Sequence, residues 1–350
     1  MNLEKLGWDS YFESNFFTFG LKGYTIGRIF AEHKNMYKLY TDHGEVMAEI
    51  SGKFRFNAEG YESFPAVGDW VVIHIIAKER RAIIHKILPR KSKFSRKVAG
   101  QQIEEQIVAA NIDTVFLMNS LNNDFNIRRL ERYLILAWEN GANPVIILSK
   151  ADMCNDIDEK IKQMAAVALG VPIYPISAIN KEGLEPLNKY LSEGKTVAVL
   201  GSSGVGKSTL INQLIGEEIQ EVQKIREGDD RGRHTTTHRE LLVLPTGGLI
   251  IDTPGMREIQ LWDGSTGILE TFEDINKIAL GCHFKDCSHE REPKCAVRQA
   301  IDEGNLPRER LERYKKLQKE LKYIERKQNK MAMIIEKNKW KQIHKDMRKY

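Results

Sequence analysis

The chain has 350 residues, 41% of them hydrophobic and 29% charged, a globular balance that excludes a disordered or fibrous protein and leaves room for two or three domains. No apolar run approaches the roughly 18 residues of a membrane span, the first 17 residues mix acids with aromatics and do not read as a secretory signal, and four cysteines are too few for a disulfide scaffold. The net charge is +5, yet residues 306–350 alone hold 16 Lys/Arg against 6 Asp/Glu, so the rest of the chain is mildly acidic. The expectation is a cytoplasmic protein with no membrane contact, whose basic tail is either a polyanion-binding segment or a solvated surface helix.

Residues 24–88 predict strands. Runs at 24–30, 36–41, 70–76 and 82–88 are apolar and β-branched, and Val46, Ala48, Ile50, Phe54 and Phe56 alternate with polar residues as in a half-buried strand. Five short strands with no helix between them suggest a small closed sheet, an OB-like β-barrel. Residues 89–100 carry Arg90, Lys91, Lys93, Arg96 and Lys97 and no acid; a mobile phosphate-touching loop and a solvated linker fit equally well. From about residue 103 the period changes. Apolar runs at 114–118 and 144–148 bracket a helical stretch at 127–140, and runs at 171–176, 196–200 and 249–251 continue the series. Strands alternating with helices imply a parallel sheet covered on both faces. Residues 308–350 read as helix, with Leu311, Tyr314, Leu317, Leu321 and Ile324 at three- and four-residue spacing. The expected division is a barrel at 1–100, an α/β nucleotide domain at 101–265 and a metal-binding, helical module at 266–350.

Gly201, Ser202, Ser203, Gly204, Val205, Gly206, Lys207, Ser208 and Thr209 match GxxxxGK[ST] between an apolar run and a helical one, the context that a phosphate loop requires. Its glycines let backbone N–H groups face the phosphates, and the following helix adds its positive end. Lys207 is expected on the β- and γ-phosphates and Ser208 on Mg²⁺.

The base is read elsewhere. Ser149, Lys150, Ala151 and Asp152 follow the run 145–148. The Asp152 carboxylate can accept from N1–H and the exocyclic amine of guanine, whereas adenine would leave it unpaired. Lys150 would cover the base, and Ser177 and Ala178 fit a small contact beside the guanine carbonyl. Asp252 and Gly255 form the DxxG of a GTPase, with Asp252 expected near Mg²⁺ and the Gly255 amide near the γ-phosphate. Between the phosphate loop and Asp252 lie Arg231, Arg233 and three threonines, of which Thr236 is the expected second Mg²⁺ ligand. Met256 stands where a Ras-like enzyme has its water-orienting Gln. The base-reading motifs precede the phosphate loop, the reverse of the usual order, as in a rewired sheet whose original ends lie close together.

Cys282-x4-Cys287-x-His289-x5-Cys295 gathers three thiols and an imidazole within 14 residues, the donors tetrahedral Zn²⁺ prefers. Four protein ligands leave no open position, so a structural zinc is expected. Lys315, Lys316, Lys319, Lys322, Arg326, Lys327 and Lys330 are candidates for contacts with the phosphates of a polyanionic partner.

The stretches PAVGDWV at 65–71, GSSGVGKST at 201–209, GRHTTTHREL at 232–241 and DTPGMRE at 252–258 together resemble the ribosome-small-subunit-dependent GTPase A family, RsgA/YjeQ, over nearly the whole chain. The resemblance implies a circularly permuted GTPase that binds GTP and GDP, is stimulated by the 30S subunit, acts late in its maturation, and works as a monomer with one zinc. It points to His234 as the group that positions the attacking water, beside Lys207 and Thr236. Many relatives carry Asn or Thr where this chain has Ser149, and losing the carboxamide is expected to weaken guanine binding. Two other readings stay open: an RNA-binding assembly factor in which nucleotide only sets affinity, and a P-loop ATPase in which the residue 149–152 match is accidental.

Overall fold

The computed structural model describes residues 2–17, 23–33, 36–76, 81–97, 105–216, 239–252 and 265–326. After α1 (Ser10–Phe17), strands β1 (Thr25–His33), β2 (Met36–Thr41), β3 (Gly44–Ile50), β4 (Trp70–Ile76) and β5 (Arg81–Ile87) pair in the order β1-β2-β3-β5-β4, and β4 returns to β1 to close a five-stranded barrel. Ile29, Leu39, Ala48, Ile73 and Ile84 are buried in it.

Two details of the expected barrel are corrected. The alternating run does not stay in one strand: β3 ends at Ile50, Ser51 accepts the Phe54 amide through Oγ at 3.1 Å, and α2 (Gly52–Asn57) begins. A Ser N-cap switches the backbone from strand to helix, which turns Phe56 out to 89% exposure. The barrel therefore does have a helix between its strands. Nor are residues 89–97 a free basic loop. β6 (Lys93–Lys97) pairs with β7 (Glu105–Ala110) as a hairpin. Arg90 forms a bidentate pair with fully buried Asp69, Lys91 pairs with Asp9, and Lys93 pairs with Glu105.

The segment PAVGDWV lies where barrel and nucleotide domain meet. Gly68 has φ +92°, and a Cβ there would lie 2.2 Å from the Ala110 carbonyl, so only glycine fits. The Gly68 carbonyl accepts from Arg28 Nε and Asn111 Nδ2. Arg28, 1% exposed, also donates to the Leu6 and Asn111 carbonyls and to Thr196 Oγ1, which ties the N-terminal segment, the barrel and the next sheet together.

That sheet contains β8 (Thr114–Ser120), β9 (Asn143–Ser149), β10 (Ile173–Pro175), β11 (Thr196–Gly201), β12 (Glu240–Val243) and β13 (Leu249–Asp252), in the order β10-β9-β8-β11-β13-β12. All neighbours are parallel except β12–β13, and β12 meets β1 at Ala31↔Glu240, so barrel and sheet are continuous. Helices α3 (Ile127–Glu139), α4 (Ile157–Ala165) and α5 (Lys207–Ile215) accompany it. Asn126 caps α3 by accepting the Arg129 amide. Helix α3 buries more than one face, from Leu130 to Ala137, because α6 (Ser265–Thr271) packs on it as well as the sheet. The chain continues through α7 (Glu273–Ala279), α8 (Ala296–Asp302) and a helix α9 over residues 308–326, where Leu311, Tyr314 and Leu317 are buried as their spacing predicts. The basic stretch beyond 326 lies outside the described residues.

Arg310 fastens this last module to α3. It is 1% exposed and donates to Glu131 Oε1 at 2.7 Å, to Asp274 and to the Thr271 carbonyl, with its guanidinium 4.2 Å from the Phe272 ring centroid. Among the described residues no helix is long and apolar enough to cross a membrane.

Candidate nucleotide site and metal centre

Parallel pairing brings the C-terminal ends of β8, β9, β10, β11 and β13 to one edge. The registers align Ser120 with Ser149, Leu148 with Pro175, Met118 with Gly201, and Val199 with Asp252. Crossovers leave β8 and β11 in opposite directions, so the crevice between them is the switch point at which open α/β sheets bind ligands.

The phosphate loop opens from this crevice. Gly204 and Gly206 have φ +74° and +100°, with open space where a Cβ would stand. These conformations turn successive amides inward above the N-terminus of α5. Lys207 is 8% exposed, and its Nζ donates to the Gly201 and Ser202 carbonyls at 2.8 Å each, so the ammonium sits inside the loop. Ser203 is half-buried, Val205 fully buried, and Ser208 and Thr209 half-buried at the start of α5.

The turn at residues 149–152 joins the loop directly. Ser149 is 3% exposed, and its Oγ donates to the Val205 carbonyl at 2.6 Å. Residues 56 apart in sequence thus share one buried hydrogen bond, and the hydroxyl that Ser149 keeps has a defined use. Lys150 takes φ +61°, a left-handed conformation uncommon for a non-glycine residue and characteristic of functional turns. The Ala151 amide donates to the Ile176 carbonyl, which binds this turn to the strand end that carries Ser177 and Ala178. Ser177 is buried and exchanges backbone bonds with Glu182, Ala178 is 9% exposed, and Asp152 is exposed at the rim. Asp252 is 4% exposed at the end of β13, one strand from the phosphate loop.

His234, Thr236, Gly255, Met256, Arg231 and Arg233 lie outside the described residues. The sequence reading passed over Asp124, which accepts from Ser202 Oγ at 2.6 Å and pairs bidentately with Arg129 at the start of α3. Its signal was faint: an acid in a polar loop after a buried strand, just before an N-cap Asn.

Cys282, Cys287, His289 and Cys295 converge as their spacing predicts, with ligating atoms all within 4.8 Å of one another. Cys282 Sγ is 3.9 Å from Cys295 Sγ, and His289 Nδ1 is 3.4 Å from Cys295 Sγ and 3.7 Å from Cys282 Sγ. A tetrahedral Zn²⁺ with Zn–S near 2.3 Å has edges of about 3.8 Å, so the donor set fits. Burial and the neighbouring sulfurs push the Cys287 thiol up to about 11, and a cation is what would keep such a cluster deprotonated. The bound ion would cross-link a short segment with few apolar contacts of its own. Cys154 is remote from this set and pairs with Asp156.

A family model described as RsgA GTPase matches residues 87–262, and one described as 50S ribosome-binding GTPase matches residues 196–339. The chain is 48% identical over 326 residues to small ribosomal subunit biogenesis GTPase RsgA 1 of Oceanobacillus iheyensis, with 93% of each chain covered. It is 42% identical over 345 residues to small ribosomal subunit biogenesis GTPase RsgA of Methanosarcina acetivorans, covering 98% of this chain and 92% of that one. The crystal structure of YjeQ from Thermotoga maritima superposes with a TM-score of 0.64 at 28% identity, covering 85% of this chain and 98% of that one. YloQ, a circularly permuted GTPase, superposes with a TM-score of 0.62 at 25% identity over 86% of this chain and 96% of that one. With its phosphate loop and the turn at residues 149–152 on one sheet edge, and with these relatives matching along most of its length, the chain belongs to the RsgA family of circularly permuted GTPases.

Proposed function

We propose that this protein hydrolyses GTP while bound to the small (30S) ribosomal subunit and that hydrolysis times a late step of subunit biogenesis and the protein's own release. The observation that carries the nucleotide half of this reading is the Ser149–Val205 hydrogen bond, which couples the base-reading turn to the phosphate cradle at one strand edge. The subunit half rests on the names of relatives that match along more than nine-tenths of the chain.

The backbone amides of residues 204–209 and the Lys207 ammonium hold the β- and γ-phosphates and neutralise charge there. Lys207 exchanges its carbonyl partners for phosphate oxygens when nucleotide enters. Ser208 and Thr236 would hold Mg²⁺, with Asp252 as a further candidate to hold it, and the ion would supply positive charge that offsets the charge developing on the phosphates. Asp152 accepts from guanine, Lys150 covers the base, and Ser177 and Ala178 line its carbonyl side. A neutral His234 imidazole accepts a hydrogen bond from the attacking water, and the Gly255 amide senses the γ-phosphate. The Cys₃His centre holds one structural zinc. The lysines of α9 contact rRNA phosphates, so subunit affinity falls steeply with salt. The protein acts as a cytoplasmic monomer divided at about residues 100 and 265.

Single-turnover GTP hydrolysis with and without purified 30S subunits tests this. The reading predicts slow intrinsic turnover, since Met256 cannot orient water, and strong acceleration by subunits. Subunit binding that depends on nucleotide without any acceleration would favour an assembly factor whose nucleotide only sets affinity.

A further inference from the structure

The loop between Cys287 and Cys295 carries two non-glycine residues in left-handed conformations, His289 at φ +57° and Lys294 at φ +56°. Each costs on the order of 1–2 kcal/mol, so the surroundings must hold them. One side chain does most of this at His289. Glu292 Oε1 accepts from the Ser288 amide at 2.9 Å and from Ser288 Oγ, and Glu292 Oε2 accepts from the amides of Glu290 at 2.9 Å and Arg291 at 3.0 Å. The carboxylate thus gathers four donors, drawn from both neighbours of His289 and from the next residue. On the other side, Lys315 of α9 donates to the His289 carbonyl at 3.1 Å. With the backbone held in this way, the imidazole Nδ1 faces the Cys282 and Cys295 sulfurs.

We propose that Glu292 is the positioning residue of the Cys₃His centre: its carboxylate clasps the backbone around His289, sets the imidazole in ligating geometry before metal arrives, and thereby raises metal affinity. Glu292 is not itself a ligand, because both oxygens are occupied by N–H and O–H donors and the converging set is complete without it. The four donors hold its carboxyl well below the usual carboxylate range, with the Ser288 hydroxyl contributing most. The clasp therefore stays charged wherever the thiols can bind a metal. Groups that orient a ligand from outside the coordination sphere typically contribute 10- to 100-fold in metal affinity.

The inference rests on the zinc assignment, and the test separates the two. Zinc affinity is measured on the full-length protein by competition with a chromophoric chelator, for the parent, Glu292→Gln and Glu290→Gln. Glutamine keeps the size of Glu292 but turns an NH₂ group toward donors. We expect 10- to 100-fold weaker zinc binding in Glu292→Gln, and less than a twofold change in Glu290→Gln, whose carboxylate is 60% exposed and only 3.7 Å from Lys315 Nζ at its nearest approach. Co²⁺ spectra at saturation should show the same three-sulfur, one-nitrogen set in both variants. In the metal-free parent, the amides of Ser288, Glu290 and Arg291 should exchange slowly, and in metal-free Glu292→Gln rapidly. Equal zinc affinity in Glu292→Gln and the parent, or rapid exchange of all three amides in the metal-free parent, overturns the proposal. A parent that binds no zinc overturns the zinc assignment itself.

Discussion

Replacing Arg310 by methionine should loosen the C-terminal module from the nucleotide domain without disturbing the nucleotide site. The guanidinium is 2% exposed, its partner Glu131 is 1% exposed, and they meet at 2.7 Å on the buried side of α3. Arg310→Met removes the guanidinium that covers the Phe272 ring and leaves the buried Glu131 carboxylate with Arg313 as its one remaining arginine. Breaking a buried pair in this way costs about 3–5 kcal/mol. Arg313 still reaches Glu131 at 2.9 Å from a 21% exposed position, and Asp274, 20% exposed, can rehydrate, which puts the expectation near the lower end, about 3 kcal/mol. The chain has several domains, so global unfolding is a poor reporter; amide exchange in residues 311–326 reads the docking locally. A loss of about 3 kcal/mol lowers protection there by roughly a hundredfold. Arg132→Gln removes a more exposed pair, with Glu320, and should cost at most about 1 kcal/mol. Adding Glu131→Leu to Arg310→Met removes the stranded charge and should recover most of the loss. A change of less than about fivefold in protection for Arg310→Met would refute the reasoning, since it would mean that the buried pair does not hold the module.

Ser149→Ala should weaken GTP and GDP binding by roughly 5- to 30-fold, because it leaves the buried Val205 carbonyl without its donor, a cost of about 1–2 kcal/mol; fluorescent-nucleotide titration reads it, and unchanged affinity would remove Ser149 from the coupling. His234→Ala should sharply reduce subunit-stimulated hydrolysis and spare nucleotide binding, measured by single-turnover rates beside GDP titration. Partial burial raises the Glu32 carboxyl, with Arg239 opposing it incompletely. A carboxyl raised in the folded state contributes its stability below the unfolded value of about 4.5 and loses it as pH climbs through the folded value. Glu32→Gln should therefore leave Tm unchanged near pH 4 and raise it at pH 7, and a lower Tm at pH 7 would contradict the sign. Chelating zinc should increase exchange across residues 282–287 and 293–295 while leaving β8–β11 and the Ser288, Glu290 and Arg291 amides held by Glu292 protected, followed by exchange mass spectrometry.

Much of this was legible because local chemistry and global placement agree. GxxxxGK[ST] after an apolar run specifies a strand, a turn with left-handed glycines and a helix wherever it occurs, and four soft donors within 14 residues have few other uses. The strand edge that unites residues 149–152, 177–178, 201–209 and 252 followed from parallel β/α alternation alone. What was not legible depended on partners far away in sequence. Period 2 continued through Phe54 and Phe56, but a single N-cap at Ser51 ended the strand, a side-chain choice that outweighs hydrophobic alternation. The basic run at 89–97 looked free because Asp69, Asp9 and Glu105, its partners, lie up to 82 residues away. Asp124 and the Glu131–Arg310 pair share that character: an acid or arginine in an amphipathic stretch is indistinguishable from a solvated one until the fold delivers its partner.

The central claim is that the shuffled motifs form one guanine-selective pocket, and isothermal titration calorimetry with GTP, ATP and xanthosine triphosphate, on the parent and on Asp152→Asn, addresses it most directly. The account predicts that the parent binds GTP at least about a thousandfold more tightly than ATP, the discrimination expected when the wrong base leaves a polar group unpaired, and that Asp152→Asn shifts the preference to the xanthine nucleotide. Equal affinity for GTP and ATP, or a GTP preference untouched by Asp152→Asn, would contradict it.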